Sequence, residues 1–471
     1  MQRALEEYSQ VFVPPGGADF EGAARVLKRR RREFLKRLER PVFVLGAMEE
    51  PGEELDWFFS SRCAVQSPEF VYLTGINQPE FLLFLDPTAG GSAREILFAP
   101  EFDAHHEFWN GLAFGLTPGR GGKFRPDPAL RALTGISDQR PFSELPSFLK
   151  TLRKRLPDGT VGIEGEVCDP FFAEDLGKRG IRAVSVSRAA AEQRVVLDAE
   201  QLSAMRRAQA LTRDAFLAWA PKVPAFPDEN VACRSLEFEL LTRTPWGLGF
   251  PTIAASGGNA RTLHYVRNDS PLRKGSLLLV DFGARWGSIS SDVTRTLPVS
   301  GRFSPLQKLL YGIVLDVQKF HRAQVAPGRT IRDLDRRAWE YMEFLLQERF
   351  FAQGGRAERP YDRPSAKKGP ARPHGISHLI GEMVHEGDAK REYAKSPLLP
   401  GMVLSNEPGL YGVFEAEIGG KRVREEIGIR IENDLLVTEE GCEDLSRGIP
   451  AEPDEIEALV RGVFDRKGEP C

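Results

Sequence analysis

The chain has 471 residues, which exceeds the usual size of a single hydrophobic core, so two domains are expected. Hydrophobic residues make up 41% and charged residues 28%, as in ordinary soluble globular proteins, and the formal net charge of -3 excludes a general attraction to nucleic acid or acidic membranes. The five cysteines are scattered without a CxxC pair, which argues against a disulfide framework or a thiolate zinc site and indicates a reducing compartment: Cys63, Cys168, Cys233, Cys442 and Cys471.

The N-terminal sequence MQRALEEYSQVFVPPGG contains acidic residues and no apolar core, so it does not have the pattern of a secretory signal. No stretch approaches the roughly 18 consecutive apolar residues that a membrane-spanning helix needs. We therefore expect a cytoplasmic protein with no membrane and no nucleic-acid partner. The basic run KRRRR at 28–32 is predicted to be the solvated face of a helix, because glutamates stand on both sides of it.

The first 195 residues alternate helical and strand patterns, which predicts a small α/β domain. Predicted helices cover residues 20–39, 143–156 and 170–178. Predicted strands are the apolar runs at 41–46 (PVFVLG), 70–74 (FVYLT), 81–86 (FLLFLD), 95–99 (EILFA) and 160–164 (TVGIE). The adjacent His105 and His106 would point to opposite sides of an extended segment, so we interpret them as surface or interface residues rather than metal ligands.

A domain boundary is predicted between residues 186 and 198, where small residues lead into a long helical pattern with Asp198 as its N-cap. Two further long helices are predicted at 304–323 and 331–350. The segment 354–373 is rich in proline, glycine and charge, and is predicted to be an exposed insertion or mobile loop. The second domain is therefore expected to cover residues 196–471.

Five candidate metal ligands lie in short motifs of this second domain. Asp281 and Asp292 stand eleven positions apart in LLLVDFGARWGSISSDVTRT, a predicted β-hairpin in which each carboxylate ends an apolar strand. Burying a carboxylate at the end of an apolar strand is unfavourable unless a cation pairs with it there. His378 (HGISHLIG), Glu407 (SNEPG) and Glu432 (GIRIEND) complete an oxygen-rich set that suits two divalent ions of the manganese or cobalt type. Four carboxylates balance two such ions, so the sequence predicts a dinuclear metallohydrolase.

Five motifs occur in the order seen in the creatinase/methionine-aminopeptidase, or pita-bread, superfamily: TLHYVRND, VDFGARWGSISSDVTRTLPVSG, HGISHLIGEMVHEG, PGMVLSNEPGLY and EEIGIRIENDLLVTEEG. Their wording most resembles aminopeptidase P and its relative prolidase over residues 196–450. The sequence QSPEFVYLTGINQPE followed by LLFLDP, within residues 60–115, is similar to the aminopeptidase P N-terminal domain. The resemblance implies an α+β protein, with a pita-bread catalytic domain at 196–471 preceded by a smaller α/β creatinase-type domain at 1–195.

The resemblance also implies how the five ligands divide between two ions. Asp281 would bind one ion on its own, and Asp292 and Glu432 would bridge both. His378 and Glu407 would bind the other ion. The implied cofactor is two divalent metal ions, with manganese as the first candidate and cobalt, iron or zinc as alternatives.

Three histidines and Glu407 form the implied catalytic set. His264 and His385 would stabilise the oxyanion of the tetrahedral intermediate. His374 would lie near the pocket for the residue after the scissile bond. Glu407 would accept the proton of the attacking water and deliver it to the leaving proline nitrogen. The alternative for each histidine is a hydrogen-bonded structural residue, which is our interpretation of His321.

Tyr411 and Arg430 stand beside two of the ligands, and the resemblance implies that they organise the proline-side pocket. The alternative for Arg430 is an inter-strand ion pair with Asp434 or Glu432. Departures from the family wording occur at Glu69, Leu379 and residues 382–386 (EMVHE). None of these departures removes a ligand, but they alter the predicted walls of the substrate pocket.

The implied activity is metal-dependent release of the N-terminal residue from peptides of the type Xaa-Pro-Yaa. A prolidase, restricted to Xaa-Pro dipeptides, is an alternative, and the basic segment 367–372 could then stop the free carboxylate of proline. A non-catalytic pita-bread binding module is disfavoured, because all five ligand positions are filled. The expected partners are peptides with proline in the second position and further copies of the chain, as a dimer or tetramer.

Overall fold

The computed structural model describes residues 20–47, 66–88, 94–102, 104–105, 108, 114–165, 171–359, 372–387 and 391–463. The chain divides into two compact units, Met1–Arg194 and Val195–Cys471. Among the described residues, no helix is both long and apolar enough to cross a membrane. His105 is exposed, and His106 lies outside the described residues.

The first unit is built on a mixed sheet. Its strands are β1 (Val42–Leu45), β2 (Leu82–Asp86), β3 (Arg94–Ala99), β4 (Thr117–Pro118), β5 (Phe124–Arg125), β6 (Gln139–Pro141), β7 (Thr160–Glu164) and β8 (Arg182–Ser185). Six of them form one sheet in the order β6-β3-β2-β1-β7-β8, whereas β4 and β5 pair separately. The described helices are α1 (Phe20–Leu35), α2 (Pro68–Thr74), α3 (Pro128–Thr134), α4 (Leu145–Arg155), α5 (Phe172–Lys178) and α6 (Ser187–Arg194).

Strand β1 explains why the sequence of this sheet is apolar without alternation. Val42 and Val44 pack into a core with residues of α1, α2 and α3, whereas Phe43 and Leu45 pack into a second core with α4 and α5. Both faces of the strand are therefore buried, as in strands covered by helices on two sides.

The predicted strand at residues 70–74 is wrong, because FVYLT lies in helix α2. Ser67 caps the helix by accepting a hydrogen bond from the Phe70 N–H, Pro68 occupies the first turn, and Gly75 ends it with a left-handed φ of 72°. Residues 70–74 are all buried. A short run that is apolar on every side has no periodicity to separate a buried helix from a buried strand, and the flanking Ser-Pro and Gly decide here.

The basic run at 28–32 is only partly a solvated face. Lys28, Arg29 and Arg32 are exposed, but Arg30 and Arg31 are buried in α1. Arg31 has no exposed surface and donates hydrogen bonds to the Glu95 carboxylate and to the backbone carbonyls of Leu73 and Thr134. The partners lie 42 to 103 residues away in sequence, so local charge patterning could not reveal them.

The second unit combines long helices with small antiparallel sheets. Its described helices are α7 (Ala199–Trp219), α8 (Glu229–Leu241), α9 (Pro305–Arg322), α10 (Ile331–Arg349) and α11 (Pro453–Val460). Its described strands are β9 (Ile253–Ser256), β10 (Leu277–Phe282), β11 (Arg285–Trp286), β12 (Ile289–Ser290), β13 (Val293–Pro298), β14 (Arg356–Glu358), β15 (Leu379–Ile380), β16 (Val403–Asn406), β17 (Gly409–Ile418), β18 (Lys421–Arg430), β19 (Asn433–Val437) and β20 (Cys442–Asp444). The sheet orders are β13-β10-β9, β11-β12, β14-β17-β18 and β15-β16-β19-β20.

The long helices begin where the sequence predicts. Asp198 and Ser304 each form a capping box with the glutamine three residues later, and Pro305 fills the first position of α9. The apolar faces of α7, α9 and α10 share one core with β10, β13 and the β17–β18 hairpin. This core packs against β10, β13 and β18, the strands whose ends carry Asp281, Asp292 and Glu432.

The segment predicted as an insertion is not loop throughout. Residues Arg356–Glu358 form β14, which pairs antiparallel with β17 in the register Arg356↔Glu415. Residues 360–371 lie outside the described residues. The predicted hairpin around Asp281 and Asp292 is present as the antiparallel pair β10–β13, with β11 and β12 forming a smaller hairpin inside its connection.

Candidate metal centre

The five predicted ligands all stand at or beside strand ends of the second unit. Asp281 lies in β10, Asp292 directly precedes β13, and Glu432 follows β18. His378 directly precedes β15, and Glu407 follows β16. These strands meet through backbone hydrogen bonds: the Glu432 N–H donates to the Thr294 carbonyl, Glu407 N–H to the Ile376 carbonyl, and Ser405 N–H to the His378 carbonyl.

The five side chains line one cavity of about 470 Å³. Ligand atoms of Asp292, His378 and Glu432 lie within 4.8 Å of one another. The His378 Nε2 atom is 3.6 Å from the nearer oxygen of Asp292 and 3.4 Å from that of Glu407. A cavity of this volume accommodates a short peptide together with bound ions.

Neighbouring polar groups hold the ligands in place. Thr294 Oγ1 donates to Glu432 Oε2 at 2.6 Å. Ser405 Oγ accepts from the His378 N–H at 3.0 Å and donates to Glu407 Oε1 at 3.3 Å. Ordering of this kind fixes the direction in which a ligand presents its lone pairs. Sequence reasoning missed Thr294 and Ser405, although both lie within two residues of a predicted ligand.

Asp434 lies behind the cluster. Its Oδ2 atom accepts a hydrogen bond from the Asp292 N–H at 3.0 Å and another from the Gln209 side chain. The sequence offered Asp434 only as a possible partner of Arg430. The described contacts make it a support for Asp292 instead.

The carboxylates that line the cavity lie close together, and the neighbouring positive charge does not balance theirs. Burial and the charges of neighbouring carboxylates raise the pKa of Asp292 and that of Glu407 well above their ordinary values, and burial with the Asp281 charge raises the pKa of Glu432 to about 8. Asp281 Oδ1 and Asp292 Oδ1 are buried with no hydrogen-bond partner among the described residues. Divalent cations would supply the missing partner and the missing charge, so the residues fit the implied ions.

The imidazole of His378 is suited to bind a metal. Its Nδ1 atom lies 3.3 Å from the Leu379 carbonyl, which places the ring proton on Nδ1 and leaves the Nε2 lone pair facing the carboxylates. Burial and the nearby His385 lower the pKa of His378 to about 3. The ring is therefore neutral at physiological pH, as a metal ligand must be.

The other predicted histidines surround the same cavity. His264 and His385 are exposed and line it, and the His385 ring stands 4.3 Å, centroid to centroid, from that of His378 at an interplanar angle of 72°. His374 Nδ1 lies 2.7 Å from the Gly375 carbonyl, so Nε2 accepts from the Tyr411 hydroxyl at 3.0 Å. Burial lowers the pKa of His374 to about 4.

Arg430 has a different partner from those the sequence suggested. Its Nη2 atom donates to Asp281 Oδ2 at 2.6 Å, and its other nitrogens reach the Thr294 and Tyr411 hydroxyls at 3.0 and 3.4 Å. Asp281 therefore has an ion-pair partner within the chain, which its sequence context did not predict. Tyr411 is buried behind Arg430 and His374 and acts on the cavity through them.

His321, interpreted as structural, lies outside this cavity wall. It is fully buried in α9, and its Nε2 atom is 3.1 Å from Ser377 Oγ. Burial lowers the pKa of His321 to about 4, so the ring is neutral and bonded.

Comparison with protein families identifies the chain. The model of metallopeptidase family M24 matches residues 203–439, and that of the aminopeptidase P N-terminal domain matches residues 27–157. The chain belongs to metallopeptidase family M24. This M24 protein lies in the aminopeptidase P group of the pita-bread superfamily and is a metallo-exopeptidase, so the predicted family, fold class and enzyme class are confirmed.

Named relatives of this M24 protein and similar solved structures agree with the family assignment. It is 33% identical over 444 residues to Xaa-Pro aminopeptidase 1 of Streptomyces coelicolor, covering 90% of this chain and 84% of the relative. It is 30% identical over 411 residues to Xaa-Pro aminopeptidase 3 of Rattus norvegicus, covering 84% and 76%. Proline aminopeptidase P II from Yersinia pestis superimposes with a TM-score of 0.74 at 26% identity, covering 93% of this chain and 99% of that one. Aminopeptidase P from E. coli with the inhibitor Pro-Leu gives a TM-score of 0.74 at 25% identity, covering 93% and 98%.

Proposed function

We propose that this metallo-exopeptidase releases the N-terminal residue from Xaa-Pro-Yaa peptides with the help of two divalent ions, manganese being the first candidate. The observation that carries the proposal is the convergence of four carboxylates and one neutral imidazole on a single peptide-sized cavity. The names of the related Xaa-Pro aminopeptidases support the proline preference. A proline nitrogen carries no N–H, so the enzyme must recognise the imide by shape and by its carbonyl groups.

Five residues would hold the ions. Asp281 would bind one, His378 and Glu407 the other, and Asp292 and Glu432 both. The ions would supply Lewis acidity that activates water and polarises the scissile carbonyl. The buried oxygens Asp281 Oδ1 and Asp292 Oδ1 support the assignment of both residues as ligands, because they have no hydrogen-bond partner among the described residues and belong to side chains that line the cavity.

The remaining residues of the cavity would manage protons and the developing charge. Glu407, whose Oε1 accepts a hydrogen bond from Ser405, would accept the proton of water and pass it to the leaving proline nitrogen. His264 and His385, both exposed to the cavity, would donate to the oxyanion. His374 would stand at the leaving-group side, with its ring oriented by Tyr411, which is itself bonded to Arg430.

The activity is tested with three peptides and the chelated protein after manganese is added back. Ala-Pro-Ala should be cleaved with the highest kcat/KM, Ala-Pro more slowly, and Ala-Ala-Ala poorly, because extension of the leaving group adds contacts usable in the transition state. Efficient Ala-Pro hydrolysis with no tripeptide cleavage would make the enzyme a prolidase. Equal cleavage of Ala-Pro-Ala and Ala-Ala-Ala would overturn the proline preference.

We also propose how the protein is organised in the cell. We place the domains at 1–195 and 196–471, in a cytoplasmic dimer or tetramer. Limited proteolysis should cut near the boundary and leave a fragment starting close to residue 196, and light scattering should give a mass of two or four chains. A monomer at micromolar concentration would contradict the oligomer.

A further inference from the structure

His321 is a fully buried imidazole that the proposed reaction does not use. It lies in the last turn of α9 and has no exposed surface. The other described histidines of the second unit line the cavity: His264, His374, His378 and His385. An apolar side chain of similar size would fill the place of His321 without the cost of burying two ring nitrogens. The groups around the ring therefore indicate what it does.

One ring nitrogen meets the residue that precedes the ligand His378. The His321 Nε2 atom lies 3.1 Å from Ser377 Oγ, and Ser377 is itself fully buried. Burial lowers the pKa of His321 to about 4, so the neutral ring carries one N–H donor and one acceptor. A serine hydroxyl both donates and accepts, so the two side chains can pair in either tautomer of the ring.

A second buried side chain beside the ring belongs to the residue that precedes the ligand Glu407. Asn406 has no exposed surface, and its Nδ2 atom donates at 3.0 Å to the carbonyl of Gln318, one turn before His321 on α9. The Asn406 side chain raises the pKa of His321 against the effect of burial, as an oxygen acceptor beside the ring does. The Asn406 Oδ1 and His321 Nδ1 atoms have no other hydrogen-bond partner among the described residues. The end of α9 therefore contacts the residues that precede two of the ligands.

The two segments that carry these ligands run side by side in front of α9. The Glu407 N–H donates to the Ile376 carbonyl at 3.0 Å. Successive side chains along a strand point to opposite sides, and at these strand ends Ser377 and Asn406 face α9. His378 and Glu407 face the cavity, where His378 Nε2 and Glu407 Oε1 stand 3.4 Å apart. The spacing of the two ligand atoms thus depends on how the residues behind them are held.

We propose that His321 is a positioning residue that holds His378 and Glu407 at the spacing required by one divalent ion. It acts through Ser377 and Asn406, since each of them directly precedes one of these ligands. Designed and natural sites need their groups fixed within about 0.5 Å by surrounding contacts. The inference rests on the proposed function, because it concerns the ion assigned to His378 and Glu407. The other ion has no ligand of its own next to Ser377 or Asn406, so its affinity should not depend on His321.

The inference is tested by calorimetric titration of the chelated full-length protein with manganese, which measures the Kd of each ion without turnover. His321→Leu removes the polar ring at nearly the same volume. It should raise the Kd of one ion by about 10-fold, the lower end of the range for contacts behind metal ligands, and leave the other Kd unchanged. His321→Gln keeps an amide that can reach the Ser377 hydroxyl, so it should restore most of the lost affinity.

Two further variants show which contact and which ion are involved. Ser377→Ala removes a single oxygen, so it tests the contact even if His321→Leu does not fold. It should weaken the same ion, and the double variant should be no weaker than His321→Leu, because both substitutions break one interaction. In a His378→Ala background, which should lack this ion, His321→Leu should leave the Kd of the remaining ion unchanged.

Tyr311→Phe is the matched control within the same helix. Tyr311 is fully buried, and its hydroxyl donates to the carbonyl of Ala451 at 2.8 Å. The control should lower the Tm and keep both Kd values, which is also how His321→Leu would behave if its ring were only structural. Parental Kd values in His321→Leu or in Ser377→Ala, or an equal weakening of both ions, would overturn the inference alone. A parent that binds no manganese would overturn the proposed function and the role of His321 with it.

Discussion

Two groups of buried charge, one in each unit, are balanced in opposite ways. In the first unit, the buried guanidinium of Arg31 meets both oxygens of Glu95 at 3.0 and 3.1 Å and two backbone carbonyls. In the second unit, Asp292, Glu407 and Glu432 share one buried region with Asp281, and burial raises the pKa of the first three. The first arrangement is complete within the chain, whereas the second becomes favourable only when cations are added.

The contrast indicates a structural role for the Arg31–Glu95 pair and a functional role for the carboxylate cluster. A compensated buried charge fixes neighbouring elements, because removal of either partner leaves the other unpaired. A cluster of buried carboxylates at strand ends, without matching positive charge, binds cations and protons favourably. Substitutions that change one charge at a time test this difference between the Arg31 pair and the carboxylate cluster.

The largest effect is expected for Asp292→Asn. The amide cannot act as an anionic bridge, so at least one ion and nearly all turnover should be lost. The fold should survive, because the backbone bond to Asp434 is unaffected. Elemental analysis and peptide hydrolysis measure the two losses. Chelation should lower the Tm of the parent and leave that of the variant nearly unchanged, since only a bound ion adds stability; two retained ions with normal rates would refute the bridging role.

A smaller effect is expected at the histidines, where loss of the metal ligand His378 and loss of the oxyanion donor His385 should change different properties. His378→Ala should lose metal, whereas His385→Ala should keep it and slow turnover by about 10²–10³-fold, the usual cost of losing an oxyanion donor. Metal content and kcat measured on the same preparations give the comparison. Equal metal loss in both variants would show that the assigned roles are wrong.

In the first unit, Arg31→Met should affect stability alone. It leaves the Glu95 carboxylate and two carbonyls without their donor, and should lower the free energy of unfolding by about 2–3 kcal/mol, less than for a fully buried pair because Glu95 is partly exposed. The loss should be the same with and without manganese. Arg32→Met, at the exposed neighbouring position, is the control. A loss that depends on manganese would contradict the separation of the two units.

The smallest effect concerns Glu164, a buried carboxylate of the first unit. Burial and the nearby Glu69 raise its pKa from 4.5 to about 7. The folded state thus holds this proton more tightly than the unfolded state, so its stabilising effect is complete below pH 4.5 and is lost as the pH rises through 7. The Tm of the manganese-loaded parent should decline across this window, and Glu164→Gln should flatten the decline. An equal slope in both proteins would assign it to other groups.

Much of the site could be predicted because each ligand lies in a short motif. The long helices were predicted to within a few residues, since Asp198 and Ser304 mark their starts. The partner of Arg430 could not be predicted, because Asp281 lies 149 residues away.

The central claim is that the carboxylate cluster is completed by two divalent ions that make the protein a peptidase. The most direct test is a manganese titration of the chelated protein, followed by calorimetry and by hydrolysis of Ala-Pro-Ala in the same samples. We predict two ions per chain, with activity absent before metal is added and complete when both sites are filled. Full hydrolysis by the chelated protein, or a cluster that binds no manganese, would contradict the account.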